Sequence, residues 1–300
     1  MPSDHATSLG AGHRRHPLRP GDRAGDALDK AQWSAQLSEF LPATEGFAMT
    51  TTDLTVEFVD GVYRIELNRP HRLNALSDAM LEALHDRITT VPADAVAIVI
   101  RGAGQAFCSG HDLKDAADAG PLDTVTARAV AERMQRVAVA MRECRVPIVT
   151  RVHRYAIGGG AEIALSGDIV VAADDTTFQF TEAAVGRVVT NGFTNLLPRT
   201  VGPVRAKQLF LLGRPMLADE AFHWGLLSEI HPLDELDAAV EHVIAELRGK
   251  SGWALGAAKM LVNRGLQASF ESSLDLEIGA AIEAELGPDA VKGASEFADN

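Results

Sequence analysis

The stretch PIVTRVHRYAIGGGAEIALSGDIVVAADDTTFQFTEAAVG, residues 147–186, decides the fold. PIVTRV, opening at Pro147, and IVVAA are short, apolar and rich in β-branched residues, as strands of a buried sheet would be. Between them IGGGAEIALSGD reads as a loop feeding a short helix. Asp174-Asp175 marks a turn and TFQF a further short strand. Strand, glycine-rich turn, helix and strand in succession point to an α/β protein.

The same alternation extends upstream. TVEFV and VYRIEL alternate apolar and polar residues and are joined by Asp60-Gly61, a strong hairpin signal. Ser77 is placed to cap a helix with Leu81, Leu84 and Ile88 on one face. VAIVI, ending at Ile100, is a continuous apolar run suited to a strand covered on both faces. The glycine-bearing loop RGAGQAFCSGHD follows, and then a long Ala- and Arg-rich helix over 122–143. Downstream of Pro198 the sequence is mostly helical, with breaks at Gly213-Arg214-Pro215 and Gly225. No repeat of fixed period is visible.

Composition bounds the function classes. The chain has 300 residues, 46% hydrophobic and 23% charged, ordinary for a soluble globular protein. A formal net charge of −13 argues against a nucleic-acid binder, which needs a basic surface to release counterions. No apolar stretch approaches a membrane span, and the N-terminus lacks the apolar segment of a secretory signal. Two cysteines, Cys108 and Cys144, are too few for a disulfide scaffold. A reducing, cytoplasmic location with free thiols is the default expectation.

Residues 1–48 read differently. GAGHRRHPLRPGDRAGD, residues 10–26, is polar and lacks period, which predicts a disordered extension. Its acidic residues count against an organelle transit peptide. The alternative is that Met49 is the true first residue.

The glycine-rich pieces fail several common motifs. Gly158-Gly159-Gly160 is followed by Ala161-Glu162, not by the Gly-Lys-Ser/Thr of a phosphate-binding loop. Gly102-x-Gly104 lacks the third glycine of a dinucleotide fingerprint. Neither Ser109 nor Ser166 has the flanks of a nucleophile elbow. No His pair stands at zinc-ligand spacing beside a Glu. What remains is a glycine triplet opening a helix, with a carboxylate just behind it. Unpaired N–H groups at a helix start suit developing negative charge, as on a thioester oxygen becoming an enolate. The loop Ser109-Gly110-His111-Asp112 is placed to bring another N–H to the same oxygen.

At these two loops the sequence resembles the crotonase superfamily, most closely its enoyl-CoA hydratase/isomerase branch. The resemblance runs from about Thr55 to near the C-terminus. It is carried by LNRPHRLNAL, GQAFCSGHDLKD, the 147–186 stretch, LPRTVG and WGLLSEI, in that order. It implies an α/β spiral of ββα units over 49–245, with two roughly perpendicular sheets. A helical trimerisation region over 246–300 follows, and trimers or hexamers are implied. An acyl-CoA is the implied partner, with no cofactor beyond the coenzyme A of the substrate itself.

By motif, the backbone N–H groups of His111 and Gly159 match the family's oxyanion hole. Glu162 and Glu182 match its two glutamates, which would add water across an α,β-unsaturated thioester. Water activation falls mainly to Glu162 and α-proton delivery mainly to Glu182. Substrate or CoA contacts are expected at Arg72, Leu73, Ala75, Ser109, Gly110, Asp112, Leu113, Lys114, Gly158 and Thr190. For Arg69 and Arg72, a phosphate contact and a solvated loop are equally good readings. His153-Arg154 reads as a solvated or phosphate-facing pair, Cys108 as a small packing residue, and Asp112 and Asp168 as turn or cap residues.

The run Val189-Thr190-Asn191-Gly192-Phe193-Thr194 departs from the Pro-Gly-Ala-Gly-Gly-Thr usual in plain hydratases. This loop flanks the reacting carbons in relatives, so Phe193 is expected to add bulk and Thr190 and Asn191 hydrogen-bonding groups. Besides a hydratase, the resemblance leaves room for an isomerase that moves the double bond. A non-catalytic CoA-binding or scaffold relative is the third reading.

Overall fold

The computed structural model describes residues 47–50, 53–118 and 120–290. The expected N-terminal extension lies outside them, apart from Phe47 and Ala48, which open the first strand.

The hairpin forms as its sequence requires. β1 (Phe47–Thr50) pairs antiparallel with β2 (Leu54–Val59), and β2 with β3 (Val62–Leu67). Asp60 and Gly61 both have positive φ, at 51° and 73°, which makes the two-residue connection a left-handed turn matched to strand twist. α1 (Asp78–Thr89) starts at Ser77, whose hydroxyl accepts from the Met80 N–H, and buries Leu81, Leu84 and Ile88.

β4 (Ala97–Gly102) runs parallel to β3. The short α2 (Leu113–Asp118) and the long α3 (Thr124–Glu143), capped by Asp123, follow. β5 (Ile148–Val152), β6 (Tyr155–Ile157), α4 (Gly159–Ala164), β7 (Ile169–Ala173) and β8 (Thr177–Gln179) then build the central stretch. α5 (Phe193–Val201), α6 (Pro203–Leu212), β9 (Met216–Leu217), α7 (Ala218–His223) and β10 (Glu229–His231) come next. α8 (Leu236–Arg248), α9 (Gly252–Gly265) and α10 (Phe270–Leu286) complete the described chain.

The strands form a seven-stranded sheet, β1-β2-β3-β4-β5-β7-β10, and a three-stranded sheet, β6-β8-β9. From β3 to β10 the larger sheet is parallel. It is apolar on both faces because both are covered. Ile98, Ile100 and Ile148 join the main core with α1 and α3. Ala97, Val99, Val149 and Val171 pack on Leu236, Val240 and Ile244 of α8. That explains why VAIVI is continuous rather than alternating.

α9 is tied to the core by a part-buried ion pair. Lys259 Nζ lies 2.7 Å from Asp168 Oδ2 and donates to the Met141 carbonyl at 2.7 Å. Asp168 also accepts from the Ile148 N–H at 2.7 Å, so it braces β5 and α9 together. α10 buries nothing, and Phe270, Leu274, Ile278 and Ile282 form an exposed stripe at helical spacing. Among the described residues no helix is long and apolar enough to cross a membrane.

Lys259→Ala removes the cation and the carbonyl contacts from a part-buried carboxylate that water still reaches. It is expected to destabilise the fold by about 1.5 kcal/mol, read as a lower urea midpoint at unchanged slope.

Candidate active site

Three loops meet at one place. The first follows β3 and runs from Asn68 to Leu76. Asn74, fully buried with φ 55°, is its hub. Its Nδ2 lies 2.8 Å from each of the Ala103 and Ala106 carbonyls, and its Oδ1 accepts from the Arg69 N–H at 2.9 Å. The Cys108 thiol donates to the Asn74 carbonyl at 3.0 Å. Burial pushes that thiol up to about 12, so Cys108 is a packing residue and not a nucleophile.

The second loop follows β4 and carries Ser109, Gly110, His111 and Asp112. Leu76 and His111 form an isolated parallel bridge. The Leu76 N–H donates to the Gly110 carbonyl at 2.8 Å, and the Asp112 N–H donates to the Leu76 carbonyl at 3.0 Å. Parallel bridging uses the neighbours of His111 and leaves its own N–H free. A second bridge, between Cys108 and Ala156, ties this loop to the third: the Ile157 N–H donates to the Cys108 carbonyl at 2.9 Å.

The third loop is the glycine triplet. Gly158 has φ 52° and ψ −127°, and its N–H donates to the Gln179 carbonyl at 2.7 Å. Gly159 opens α4, so its N–H has no acceptor within the helix. Among the described residues, neither the His111 nor the Gly159 N–H has a hydrogen-bond partner. The two are brought close by Gly110, where φ is 90° and an added Cβ would stand 2.6 Å from the Ile157 carbonyl oxygen and 3.6 Å from the Gly159 nitrogen. Met134 of α3 and Leu76 pack beside Gly159, giving the space an apolar wall.

Two carboxylates complete the place. Glu162, on α4, is 1% exposed. Its Oε1 accepts from the Thr190 N–H at 2.7 Å, and its Oε2 accepts from Thr190 Oγ1 at 3.1 Å and Asn191 Nδ2 at 2.8 Å. Burial pushes its carboxyl up to about 7; Glu182 adds to the rise, while Thr190 and Asn191 oppose it. Glu182 begins the turn after β8, and burial raises its carboxyl too. Its Oε1 lies 3.0 Å from the point a Cβ on Gly158 would occupy, and its buried Oε2 has no partner. Only a glycine at 158 leaves Glu182 its place against the triplet.

His111 is half-buried. Burial first, and then the Arg187 guanidinium, hold its imidazole below the usual range and so neutral at pH 7.

The structure brings Glu162, Glu182, His111, Gly159, Gly158, Gly110 and Thr190 together. Other expected contacts play different parts. Asp112 is buried, and its Oδ1 accepts from the Lys114 N–H at 3.1 Å and the Asp115 N–H at 3.3 Å. Its Oδ2 lies 3.0 Å from Arg69 Nη1. Burial would raise this carboxyl, but the backbone donors and Arg69 outweigh it and hold it below its ordinary range. Asp112 therefore starts α2 and anchors the loop rather than facing a ligand, which corrects its place among the expected contacts. The phosphate reading of Arg69 is corrected with it: the guanidinium turns inward and donates to the Ala75 carbonyl at 2.7 Å. Ala75 is itself buried. Ser109 Oγ donates to the Arg72 carbonyl at 3.2 Å, pinning one loop on the other. Leu73 and Leu113 are exposed, as is Lys114, and Arg72 is half-buried.

Two further expectations are corrected. Phe193 packs on Phe180 in the core, with ring centroids 6.0 Å apart, and adds no bulk to the pocket. His153 is buried, with Nε2 3.0 Å from the Gly104 carbonyl and Nδ1 3.1 Å from Arg151, so it is not solvated. Sequence reading missed Asn74, the inward role of Arg69 and the grip of Asn191 on Glu162. No local pattern signals these, since Ala103, Glu162 and Asp112 stand 29 to 43 positions from their partners and meet them only through the fold.

A family model described as enoyl-CoA hydratase/isomerase matches residues 57–299. The chain belongs to the enoyl-CoA hydratase/isomerase family. A "Probable enoyl-CoA hydratase" of Rhodobacter capsulatus is 33% identical over 243 residues, 81% of this chain and 92% of that protein. The "1,2-epoxyphenylacetyl-CoA isomerase" of Escherichia coli is 31% identical over 244 residues, 79% of this chain and 92% of that one. Among solved structures, the enoyl-CoA hydratase from Bacillus anthracis matches with TM-score 0.77 at 27% identity, covering 83% of this chain and 96% of that one. A Thermobifida fusca protein solved in complex with acetoacetyl-CoA matches with TM-score 0.71 at 32% identity, covering 78% and 94%. The fold is that of the crotonase superfamily.

The raised Glu162 carboxyl predicts a pH signature in stability. Below 4.5 the group is protonated folded or unfolded, and Glu162→Gln changes no charge. Between 4.5 and about 7 the unfolded chain ionises while the folded one stays protonated, so wild type loses stability as pH rises. The Tm of Glu162→Gln relative to wild type is expected to climb across that window and level off above it, measured by calorimetry at stepped pH.

Proposed function

We propose that the chain is an enoyl-CoA hydratase, a hydro-lyase adding water reversibly to an α,β-unsaturated acyl-CoA. The observation that carries this reading is the meeting, among the described residues, of two main-chain N–H groups without partners and two carboxyls of raised pKa, Glu162 buried and Glu182 half-buried. The N–H groups of His111 and Gly159 would receive the thioester oxygen. Ionised Glu162 would take a proton from water as the water oxygen bonds to Cβ. The electron pair of the double bond would move through Cα to the thioester oxygen, where the two N–H groups stabilise it. Protonated Glu182 would then give its proton to Cα as the carbonyl re-forms. One carboxyl must be ionised and the other protonated, and mutual repulsion between close carboxyls favours that mixed state. The scheme uses no cofactor beyond the coenzyme A that the substrate carries.

Burial without disulfides for Cys108 and Cys144 accords with a reducing cytoplasm. The exposed apolar stripe of α10 favours a trimer, alone or paired. Light scattering of the purified chain is expected to give three or six times the monomer mass.

The test is loss of conjugated-thioester absorbance across straight-chain, branched and aryl enoyl-CoA esters. Turnover of one ester with water added is expected, with kcat/KM falling by about 10²–10⁴-fold in both Glu162→Gln and Glu182→Gln. Turnover that survives Glu162→Gln alone would instead identify an isomerase. CoA binding without any turnover would identify a silent relative.

The pH dependence follows from the same pair. Rate is expected to fall on the acid side as Glu162 takes up a proton, with a limb near the value of about 7. The acid limb of a kcat/KM profile against pH checks this.

A further inference from the structure

We infer that Asn191 is a positioning residue, whose side-chain amide fixes the orientation of the Glu162 carboxylate and favours its charged form. The role it plays in turnover rests on the hydratase reading; the contact itself does not.

Three observations converge on this one residue. Its side chain is buried, and Nδ2 donates to Glu162 Oε2 at 2.8 Å. Its backbone is left-handed, with φ 51°. Its buried Oδ1 has no donor among the described residues. An orphaned acceptor in a protein interior is costly, and the few that occur call for an explanation. The Glu162 contact supplies it: turning the amide to offer Nδ2 to the carboxylate leaves Oδ1 with nothing to accept.

A plain structural role also deserves testing. The Phe193 N–H donates to the Thr190 carbonyl at 2.9 Å, and Gly192 has φ 74°, so Thr190 to Phe193 is a turn with both central residues left-handed. Asn-Gly is the preferred pair for such a turn. The turn alone would explain why an asparagine stands here. It would not explain why the side chain points into the interior and meets a carboxylate there.

The surroundings leave Glu162 few other sources of support. Thr190 donates to both oxygens from the same loop. Glu182, from the segment after β8, opposes the charge. Across the pocket, Arg187, Asp78 and Asp112 act on His111. Past the end of α4, Asp168 and Lys259 are paired with each other. No cation ion-pairs with Glu162 among the described residues, so neutral donors carry the task of keeping it ionised. Asn191 supplies one of the three donors.

Asn191→Gly separates the two roles. Glycine adopts the left-handed turn freely, so the fold should hold while the amide is lost. Asn191→Asp keeps nearly the same shape and replaces the donor with a second negative charge. The direct readout is the carboxyl-carbon NMR titration of Glu162 in glutamate-labelled full-length protein, assigned by its disappearance in Glu162→Gln. Asn191→Gly is expected to raise the midpoint by about one pH unit, the size of one lost charge-assisted hydrogen bond. Asn191→Asp is expected to raise it further. Where the wild type turns over an enoyl-CoA, the acid limb of kcat/KM in Asn191→Gly should move by the same amount while its Tm stays close to that of wild type. A Glu162 titration unmoved in both variants would overturn the inference, whether or not any ester is hydrated. Turnover absent in wild type with the titration shifted would overturn the hydratase reading and leave the Asn191 assignment standing.

Discussion

Everything at this site depends on two main-chain N–H groups being held together and left without partners. A buried N–H is normally paired, so an unpaired one must be made unavoidable by its neighbours. The bridge between Leu76 and His111 does this on one side, because it draws on Gly110 and Asp112 and passes His111 by. The start of α4 does it on the other, because a first helical residue has no acceptor one turn back. Asn74, Arg69 and Asp112 then lock the loops that present these donors. The buried polar residues that look wasteful in a core are the ones that hold the donors in place.

The carboxyls obey a second constraint. Both Glu162 and Glu182 are pushed toward their neutral forms by burial, yet the proposed reaction needs one of them charged. The protein answers with dipoles rather than with a cation. Thr190 and Asn191 surround Glu162 with donors, while Glu182 keeps one oxygen without a partner. Burial sets the direction at both groups, and the donors around Glu162 work against it.

Much of this was legible in the sequence, and the reasons differ by element. The hairpin at Asp60-Gly61, the Ser77 cap and the strands around the triplet are local signals, set by turn chemistry and apolar period. Glu162 and Glu182 were placed by motif resemblance, not by any property of a single glutamate. Phe193 was misread because its motif position flanks the pocket, whereas the start of α5 turns its ring onto Phe180. Arg69 was ambiguous because a charged residue in a loop is normally solvated, and its partner Asp112 stands far along the chain. Long-range polar pairing has no period and no signature, so only the folded chain discloses it.

The division of labour between main chain and side chain has a consequence for how such a protein can change over generations. A codon alters a side chain and leaves the peptide N–H where it was. The charge-stabilising half of the site is thus inherited with the path of the backbone. The half that selects a reaction rests on a handful of side chains at 162, 182, 190 and 191, each open to single substitutions. New chemistry on this scaffold can begin from a pair of main-chain donors already in place.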